Sequence, residues 1–266
     1  MPSAYFVSDI HITSPESPRA RLFVSFLRGL SGKTNTTHLF LLGDIFDIWV
    51  ADHRYFVDRY RDIIGEIRRL KDEGVEINYF EGNHDLHLRY YWEDQLGLTV
   101  HGGPTYIFLG GRTVRLEHGD QMDPDDKGYR FLRWFLRTAP MRLLMCNLPG
   151  VLVARVGDRA SIKSRDYTSN VKSIDAADAI TKIRAHARKA HATKPFDIII
   201  SGHVHVRDDC RIEHEAGTFR CINLGSWLDA PCYLKLNGMD EQIFDLKTDE
   251  SREPVPHARE HLSTAQ

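Results

Sequence analysis

Five times along this chain a short apolar run is followed at once by aspartate, asparagine or histidine. In the clearest case the apolar run 39–42 stops at Gly43, and Asp44 follows directly. Such a run is typical of a strand buried on both faces. Ligands of α/β sheets collect outside the carboxyl ends of strands, and a carboxylate beside a buried strand is costly unless it is paired or metal-bound. The pattern therefore predicts a ligand site at one edge of a sheet.

The order of the predicted elements indicates an α/β fold, because strands at 5–8, 38–42 and 75–80 alternate with helices and so favour parallel pairing. Ser17 and Pro18 mark the start of the first helix. Apolar residues at helical spacing over 56–70 predict the second helix as one element. The remaining predicted elements are a glycine-turn hairpin at 106–117, a helical stretch at 122–172, a helix at 175–191, a strand at 196–200 and short strands near 210–214, 218–223, 232–236 and 242–246.

Length and composition predict one large domain with an insertion. We expect the main domain at 1–247, a helical insertion at about 122–172 and a flexible tail at 248–266. The four cysteines show no C-x-x-C spacing, the first residues show no secretory pattern, and no run reaches the ~18 apolar residues of a membrane span. These features predict a reduced, cytoplasmic protein, and the net charge of -2 gives no bulk attraction to nucleic acid.

Seven side chains that follow apolar runs form a candidate metal site: Asp9, His11, Asp44, Asn83, His118, His203 and His205. Carboxylate oxygens and imidazole nitrogens suit Mn²⁺, Zn²⁺ or Fe²⁺, and the absence of thiolates argues against a structural zinc. Seven ligands are too many for one ion and suit two ions about 3.5–4 Å apart. Any one of these motifs alone occurs more often on surface strands or turns, so the prediction depends on their ordered combination.

The ordered motifs, over residues 5–227, resemble the five sequence blocks of the calcineurin-like metallophosphoesterases: Asp9-x-His11, Gly43-Asp44, Gly82-Asn83-His84-Asp85, His118-Gly119-Asp120 and Gly202-His203-x-His205. The resemblance implies an α/β fold with a two-sheet mixed β-sandwich flanked by helices and a dinuclear site at one edge. It implies one metal held by Asp9, His11, Asp44 and His205. It implies a second metal, with Asp44 bridging the pair, held by Asp44, Asn83, His118 and His203.

A narrower resemblance is to the UDP-2,3-diacylglucosamine hydrolases of lipid A synthesis. It is carried by residues 43–49, by His118-Gly119-Asp120 followed by Asp125-Asp126-x-Gly128-Tyr129-Arg130, and by Leu224-Gly225-Ser226-Trp227. It implies hydrolysis, with Mn²⁺ as the first choice of metal, of the pyrophosphate bond of a UDP-linked diacyl sugar to UMP and diacylglucosamine 1-phosphate. Members of that family usually carry arginine where this chain has His84.

The same resemblance suggests roles for further residues. We predict that His84, held by Asp85, stabilises the developing charge or protonates the leaving oxygen. The predicted substrate contacts are Asn83, Asp126, Tyr129, Lys163, Arg165 and His203. Two alternatives stay open: a phosphoesterase of the same fold acting on another nucleotide diphosphate derivative or phosphodiester, and a metal-binding scaffold without catalysis. The complete ligand set with His84 argues against the scaffold.

The insertion is strongly basic, since residues 127–172 carry ten Lys or Arg against two acids, with aromatic and aliphatic residues between them. Arg130, Arg133 and Arg137 recur at helical spacing and predict a basic face. One interpretation is a helical pair packed on the sandwich with solvated arginines. The other is a cap whose apolar interior receives acyl chains while its basic rim meets phosphates and an anionic inner-membrane surface. The position between two ligand motifs favours the cap, and no nucleic-acid partner is favoured.

Overall fold

The computed structural model describes residues 3–33, 35–157, 159, 176–215 and 217–247. The strands of the first sheet are β1 (Ser3–Val7), β2 (Thr36–Leu41), β4 (Glu76–Phe80), β6 (Thr99–His101), β12 (Cys232–Asn237) and β13 (Asp240–Asp245). The strands of the second sheet are β7 (Thr105–Leu109), β8 (Arg112–Leu116), β9 (Ile198–Ser201), β10 (Arg207–His214) and β11 (Gly217–Leu224). The pair β3 (Trp49–Val50) and β5 (Asp85–Leu86) forms a third, two-stranded sheet.

Both large sheets are mixed. In the first, β1, β2, β4 and β6 run parallel, and β12 and β13 add antiparallel strands at one side, in the order β13-β12-β1-β2-β4-β6. In the second, β8, β9 and β11 are parallel, and β7 and β10 are the antiparallel edges, in the order β10-β11-β9-β8-β7. The predicted two-sheet mixed architecture is confirmed.

The helices flank the sheets. They are α1 (Pro18–Gly29), α2 (Arg54–Arg59), α3 (Arg61–Asp72), a π-helix (Arg89–Glu93), α4 (Lys127–Leu136), α5 (Ala139–Asn147), α6 (Gly150–Gly157) and α7 (Ala176–Thr193). One buried cluster, which includes Phe6, Phe40 and Ile200, joins the two sheets face to face. Separate clusters bury α1 and α3 on the outer face of the first sheet and α7 on that of the second. The result is a sandwich with helices on both sides.

Most predicted elements are confirmed, including the Ser17 cap, whose side chain accepts from the Ala20 N–H. The single helix predicted over 56–70 is wrong. The structure has two helices, α2 and α3, which meet at Tyr60. The buried Tyr60 ring packs with its centroid 4.5 Å from that of Phe46, and its hydroxyl donates to the Ile12 carbonyl. The elements β3, β5, β6 and the π-helix were not predicted. Residues 158 and 160–172 of the predicted helical stretch and the predicted tail at 248–266 lie outside the described residues.

Helices α4, α5 and α6 form the described part of the predicted cap. Leu136, Met145 and Leu148 are partly buried against the main core, and Val153 and Ala154 are buried in it. The outer cap face, as we call it, exposes large apolar side chains: Phe131, Leu132, Trp134, Leu143, Leu144, Val151, Leu152 and Val156. Among the described helices none is by itself long and apolar enough to cross a membrane; α5 and α6 reach that length and composition only as a pair bent by 115°.

Candidate metal centre

The seven predicted ligands converge at one edge of the sandwich. Asp9, Asp44 and Asn83 follow the parallel strands β1, β2 and β4 of the first sheet. His118 and His203 follow the parallel strands β8 and β9 of the second. Because carboxyl ends of parallel strands open at one edge, the fold brings these loops together from both sheets.

The first group of candidate ligands is Asp9, His11 and His205, with ligand atoms all within 4.8 Å of one another. His11 Nε2 lies 3.1 Å from His205 Nε2, and His205 Nε2 lies 3.4 Å from Asp9 Oδ1. Metal–nitrogen bonds of 2.0–2.1 Å at octahedral to tetrahedral angles separate donor atoms by about 2.9–3.4 Å. The two imidazoles therefore already have the spacing of ligands to one ion.

The second group combines Asp44, His118 and His203, and Asn83 lies among them. Asn83 Oδ1 is 3.1 Å from His118 Nε2 and 3.0 Å from His203 Nδ1. Asp44 Oδ2 is 3.5 Å from His118 Nε2 and 4.0 Å from His11 Nε2. This oxygen thus lies between the two groups, the position that a bridging carboxylate requires.

The hydrogen bonds of the two carboxylates also fit a metal site. Asp9 Oδ1 is buried and makes no hydrogen bond within the described part of the chain, whereas Asp9 Oδ2 accepts from the His203 N–H at 2.8 Å. Asp44 Oδ1 accepts from the His84 N–H at 2.9 Å, while its Oδ2 faces the imidazoles. A buried carboxylate oxygen without a donor is unfavourable. Each carboxylate therefore uses one oxygen for the backbone and leaves the other facing the imidazoles, where a cation could bind.

The backbone of the site is strained. Positive φ angles in non-glycine residues occur at Asp9, His11, Asp44, Ala51, His87, His203 and His205, so five of these seven residues are candidate ligands. That conformation costs about 1–3 kcal/mol per residue and persists at functional sites. A Cβ at Gly82 would collide with the Asp44 carboxylate, and one at Gly202 with that of Asp9. Glycine at these positions lets the ligand loops approach closely.

Two buried carboxylates give the site a negative field. Burial alone would lower the pKa of His118, but Asp44, Asp9 and Asp120 more than offset it and raise that pKa to about 10. Burial lowers the pKa of His11 to about 4 and that of His203 to about 4. Burial would raise the pKa of Asp44, yet nearby imidazoles, chiefly His118, hold it well below its usual value. Such a field favours a divalent cation.

His84 lies beside the first group. Its ring stands edge-on to that of His11 with centroids 5.0 Å apart, and a ring nitrogen lies within 4.8 Å of ligand atoms of His11 and Asp44. The Nδ1 atom is 2.8 Å from the Asp47 carbonyl oxygen. A carbonyl only accepts, so Nδ1 carries a proton and donates it. Nε2 is then the nitrogen that can exchange a proton with a substrate.

The prediction that Asp85 holds His84 is wrong. The buried Asp85 carboxylate accepts from the N–H groups of Ile45 and Phe46, at 2.9 and 3.3 Å, and from the Tyr79 hydroxyl at 2.8 Å. Burial, with the charge of Asp44, raises its pKa well above the usual value. None of these partners is the neighbouring His84, whose Nδ1 lies against the Asp47 carbonyl. It anchors the loop that carries Asp44 instead.

The predicted substrate contacts are distributed unevenly. Asn83 and His203 lie in the second group of candidate ligands. Tyr129 lies next to it, with its ring 6.0 Å from that of His203 and its hydroxyl donating to Asp120 Oδ2 at 2.6 Å. Asp126 caps α4 by accepting from the Tyr129 N–H at 2.9 Å. Lys163 and Arg165 lie outside the described residues.

The sequence did not predict the residues that link α4 to the loops of the candidate metal site by hydrogen bonds. Arg133 donates to the Asp120 carboxylate and, at 3.2 Å, to the Gly102 carbonyl. Arg137 donates to the Gly82 carbonyl at 3.2 Å and lies 3.4 Å from Glu81 Oε2. The interpretation that the arginines are merely solvated is therefore wrong for these two. Their spacing placed them on one face, but nothing in the sequence showed that this face turns inward.

Comparison with known proteins matches the expected resemblance. No protein-family model matches the chain. A UDP-2,3-diacylglucosamine hydrolase of Neisseria meningitidis serogroup B is 28% identical over 245 residues, 92% of this chain and 98% of the relative. One of Pseudomonas putida is 29% identical over 241 residues, 90% of this chain and 96% of the relative. The similarity predicted from the motifs is thus confirmed across nearly the whole length of both relatives.

Solved structures give weaker matches. An archaeal phosphodiesterase aligns over 92% of this chain and 99% of its own, with 12% identity and a TM-score of 0.46. Zinc-bound Vps29 from Entamoeba histolytica aligns over 91% of each chain, with 13% identity and a TM-score of 0.40.

Proposed function

We propose that this protein is a metal-dependent hydrolase that cleaves the pyrophosphate bond of UDP-2,3-diacylglucosamine to UMP and 2,3-diacylglucosamine 1-phosphate. The observation that carries the proposal is the convergence of two ligand groups on Asp44 Oδ2, beneath a helical cap tied to the same loops. The curated relatives bear the name of that hydrolase, which supports this substrate over other phosphodiesters.

The proposed cofactor is a pair of divalent ions, with Mn²⁺ as the first choice and Zn²⁺ or Fe²⁺ as alternatives. Asp9, His11, Asp44 and His205 would hold one ion, and Asp44, Asn83, His118 and His203 the other. Such a pair supplies hydroxide at neutral pH and offsets charge on a phosphoryl group. The side chains of the protein would position the donor atoms and protonate the leaving group.

His84 is the residue of this chain that can move a proton to the leaving oxygen. The Asp47 carbonyl keeps Nδ1 protonated and fixes the ring, so a second proton must reside on Nε2. When protonated, the imidazole stabilises negative charge on the substrate, and it can then give up the Nε2 proton. Tyr129 and Arg133 meet on Asp120 and hold the start of the cap beside His203.

The surface of the cap is consistent with the proposed lipid substrate. Its outer face exposes aromatic and aliphatic side chains, with Trp134 61% and Leu143 67% accessible. Residues 127–157 include Lys127, Arg130 and Arg142 and contain no acid. Exposed apolar side chains can contact acyl chains, and neighbouring cationic side chains can contact the anionic headgroups above them. We therefore propose that the cap also brings the protein to an anionic membrane surface.

His84 also favours a second candidate function. Arginine is not deprotonated in proteins, whereas an imidazole can act as a general acid. A histidine at this position can therefore assist poorer leaving groups than a phosphate. A phosphoesterase acting on another nucleotide diphosphate derivative or phosphodiester is the alternative that this residue supports.

Turnover of the lipid substrate tests the proposal. The purified chain with added Mn²⁺ should release UMP from UDP-2,3-diacylglucosamine, and the products should be separated by mass spectrometry. Cleavage of a small phosphodiester without cleavage of the UDP-lipid would support the second candidate. Binding of Mn²⁺ without turnover of either compound would leave only a metal-binding scaffold.

Substitution of His84 separates its two proposed actions. If Nε2 protonates the leaving oxygen, His84→Ala should lower kcat about 10²–10⁴-fold for an alkyl phosphodiester. The loss should be much smaller for a nitrophenyl ester, whose leaving group needs little protonation. His38→Ala, which removes a half-buried histidine on β2, is the matched control and should change neither rate.

Equal losses for both esters would contradict proton transfer and assign His84 to charge stabilisation. The His84→Arg variant addresses the departure from the relatives' usual residue. This variant should retain cleavage of the UDP-lipid, whose leaving group is a phosphate. It should lose activity toward the alkyl phosphodiester. These rates are measured as kcat with saturating Mn²⁺.

A further inference from the structure

Asp9 is held in place from two directions. Its Oδ2 accepts from the His203 N–H at 2.8 Å. Its backbone carbonyl accepts from the Trp227 N–H at 3.0 Å and from Ser226 Oγ at 3.1 Å. These bonds fix a residue whose φ is 51° and keep Oδ1 turned toward His205 at 3.4 Å. The direction of this candidate ligand therefore depends on two loops other than its own.

Asn223 connects those two loops. It is completely buried at the end of β11. Its Nδ2 donates to the Gly202 carbonyl at 2.7 Å and to Ser201 Oγ at 3.1 Å, and its Oδ1 accepts from the Gly225 N–H at 3.1 Å. Gly202 precedes His203, and Gly225 precedes Ser226. One amide group thus links the loop that carries His203 to the loop that holds Asp9.

We propose that Asn223 and Ser226 are positioning residues of the metal centre. They touch no candidate donor atom but set the affinity for the ions by orienting the ligands. Ser226 bonds only to Asp9 among the candidate ligands, and so it acts first on the group that contains Asp9. Asn223 acts on both groups, since it bonds to Gly202, which precedes His203, and to Gly225, which precedes the Ser226 that holds Asp9. The inference rests on the proposed function, because it takes Asp9 and His203 to bind metal.

Ligand-orienting partners of this kind usually change metal affinity by 10–100-fold. We expect Asn223→Ala to weaken both Mn²⁺ sites by about that factor. Ser226→Ala should weaken the site of the first group by about 10-fold and the other site by much less. Affinities are measured on the full chain by competition with a chromophoric chelator, and thermal unfolding without metal reports the fold of each variant. Turnover by Ser226→Ala should return at high Mn²⁺ concentration.

Asn78→Ala is the matched control. Asn78 is buried on β4 and bonds to His101 and Glu76, outside this network. Its loss should lower the unfolding temperature and leave both Mn²⁺ affinities unchanged. If Asn223→Ala fails to fold, the Mn²⁺ affinities of Ser226→Ala test the inference. Wild-type affinities in the folded variants would overturn the inference alone, whereas a wild-type protein that binds no Mn²⁺ would overturn the proposed function with it.

Discussion

Replacing Asp44 with asparagine is expected to lower kcat/KM by at least about 10³-fold and to reduce bound Mn²⁺ below one ion per chain. In the proposed centre the charge of Asp44 would serve both ions, and several kcal/mol of transition-state stabilisation would depend on the pair. Asparagine can still accept from the His84 N–H that Asp44 Oδ1 holds at 2.9 Å, so the loop keeps that bond. Metal content by elemental analysis and initial rates measure the two effects.

Two comparisons make this prediction specific. His11→Ala removes a ligand of the first group only and should leave about one ion bound. Asp58→Asn neutralises a carboxylate that is 57% exposed on α2, so it should change neither metal content nor rate. Retention of two ions and near-normal turnover by Asp44→Asn would disprove the bridging assignment.

The second large effect is expected in the cap. Replacing Trp134 and Phe135 with serine should raise KM for a diacyl substrate by about 100-fold. Each aromatic side chain contributes about 1.5–3 kcal/mol when it buries apolar surface, and a factor of ten corresponds to 1.36 kcal/mol. These side chains are 61% and 39% exposed, so their removal leaves the main core intact. The KM is determined from initial rates with UDP-lipids of two acyl lengths.

A small soluble phosphodiester provides the internal comparison, because the candidate ligands lie on the sandwich and not in the cap. Its turnover should change less than about twofold. Phe108→Ser removes an aromatic side chain that is 77% exposed on the edge strand β7, and it should leave both substrates unaffected. Equal losses for the diacyl substrate and the small ester would mean that α4 supports the site itself.

The candidate ligands could be predicted from the sequence because their signal is local. Each follows a strand recognisable from its apolar run, and parallel strands place such residues at one edge whatever the details of packing. The strained backbone at Asp9 and His203 was not predictable, since it follows from contacts between the two sheets. The same holds for the break between α2 and α3 at Tyr60, whose ring packs against that of Phe46 from a distant part of the chain.

The direction of side chains was the main source of error. Asp85 neighbours His84 in the sequence, yet the pairing of β3 with β5 turns it toward Tyr79 and the loop after Asp44. For Arg133 and Arg137 the sequence left open a solvated basic face or a rim that meets phosphates, whereas both side chains bond to the loops that carry candidate ligands. Residue type and spacing predict which groups share a face, but only tertiary packing determines what that face meets.

Anomalous diffraction from crystals grown with Mn²⁺ tests the two-metal centre most directly. Data collected at the manganese absorption edge should show two peaks per chain, about 3.5–4 Å apart, with the Asp44 carboxylate between them. One peak should lie against Asp9, His11 and His205, and the other against Asn83, His118 and His203. A single peak, or two peaks that do not share Asp44, would contradict the dinuclear centre.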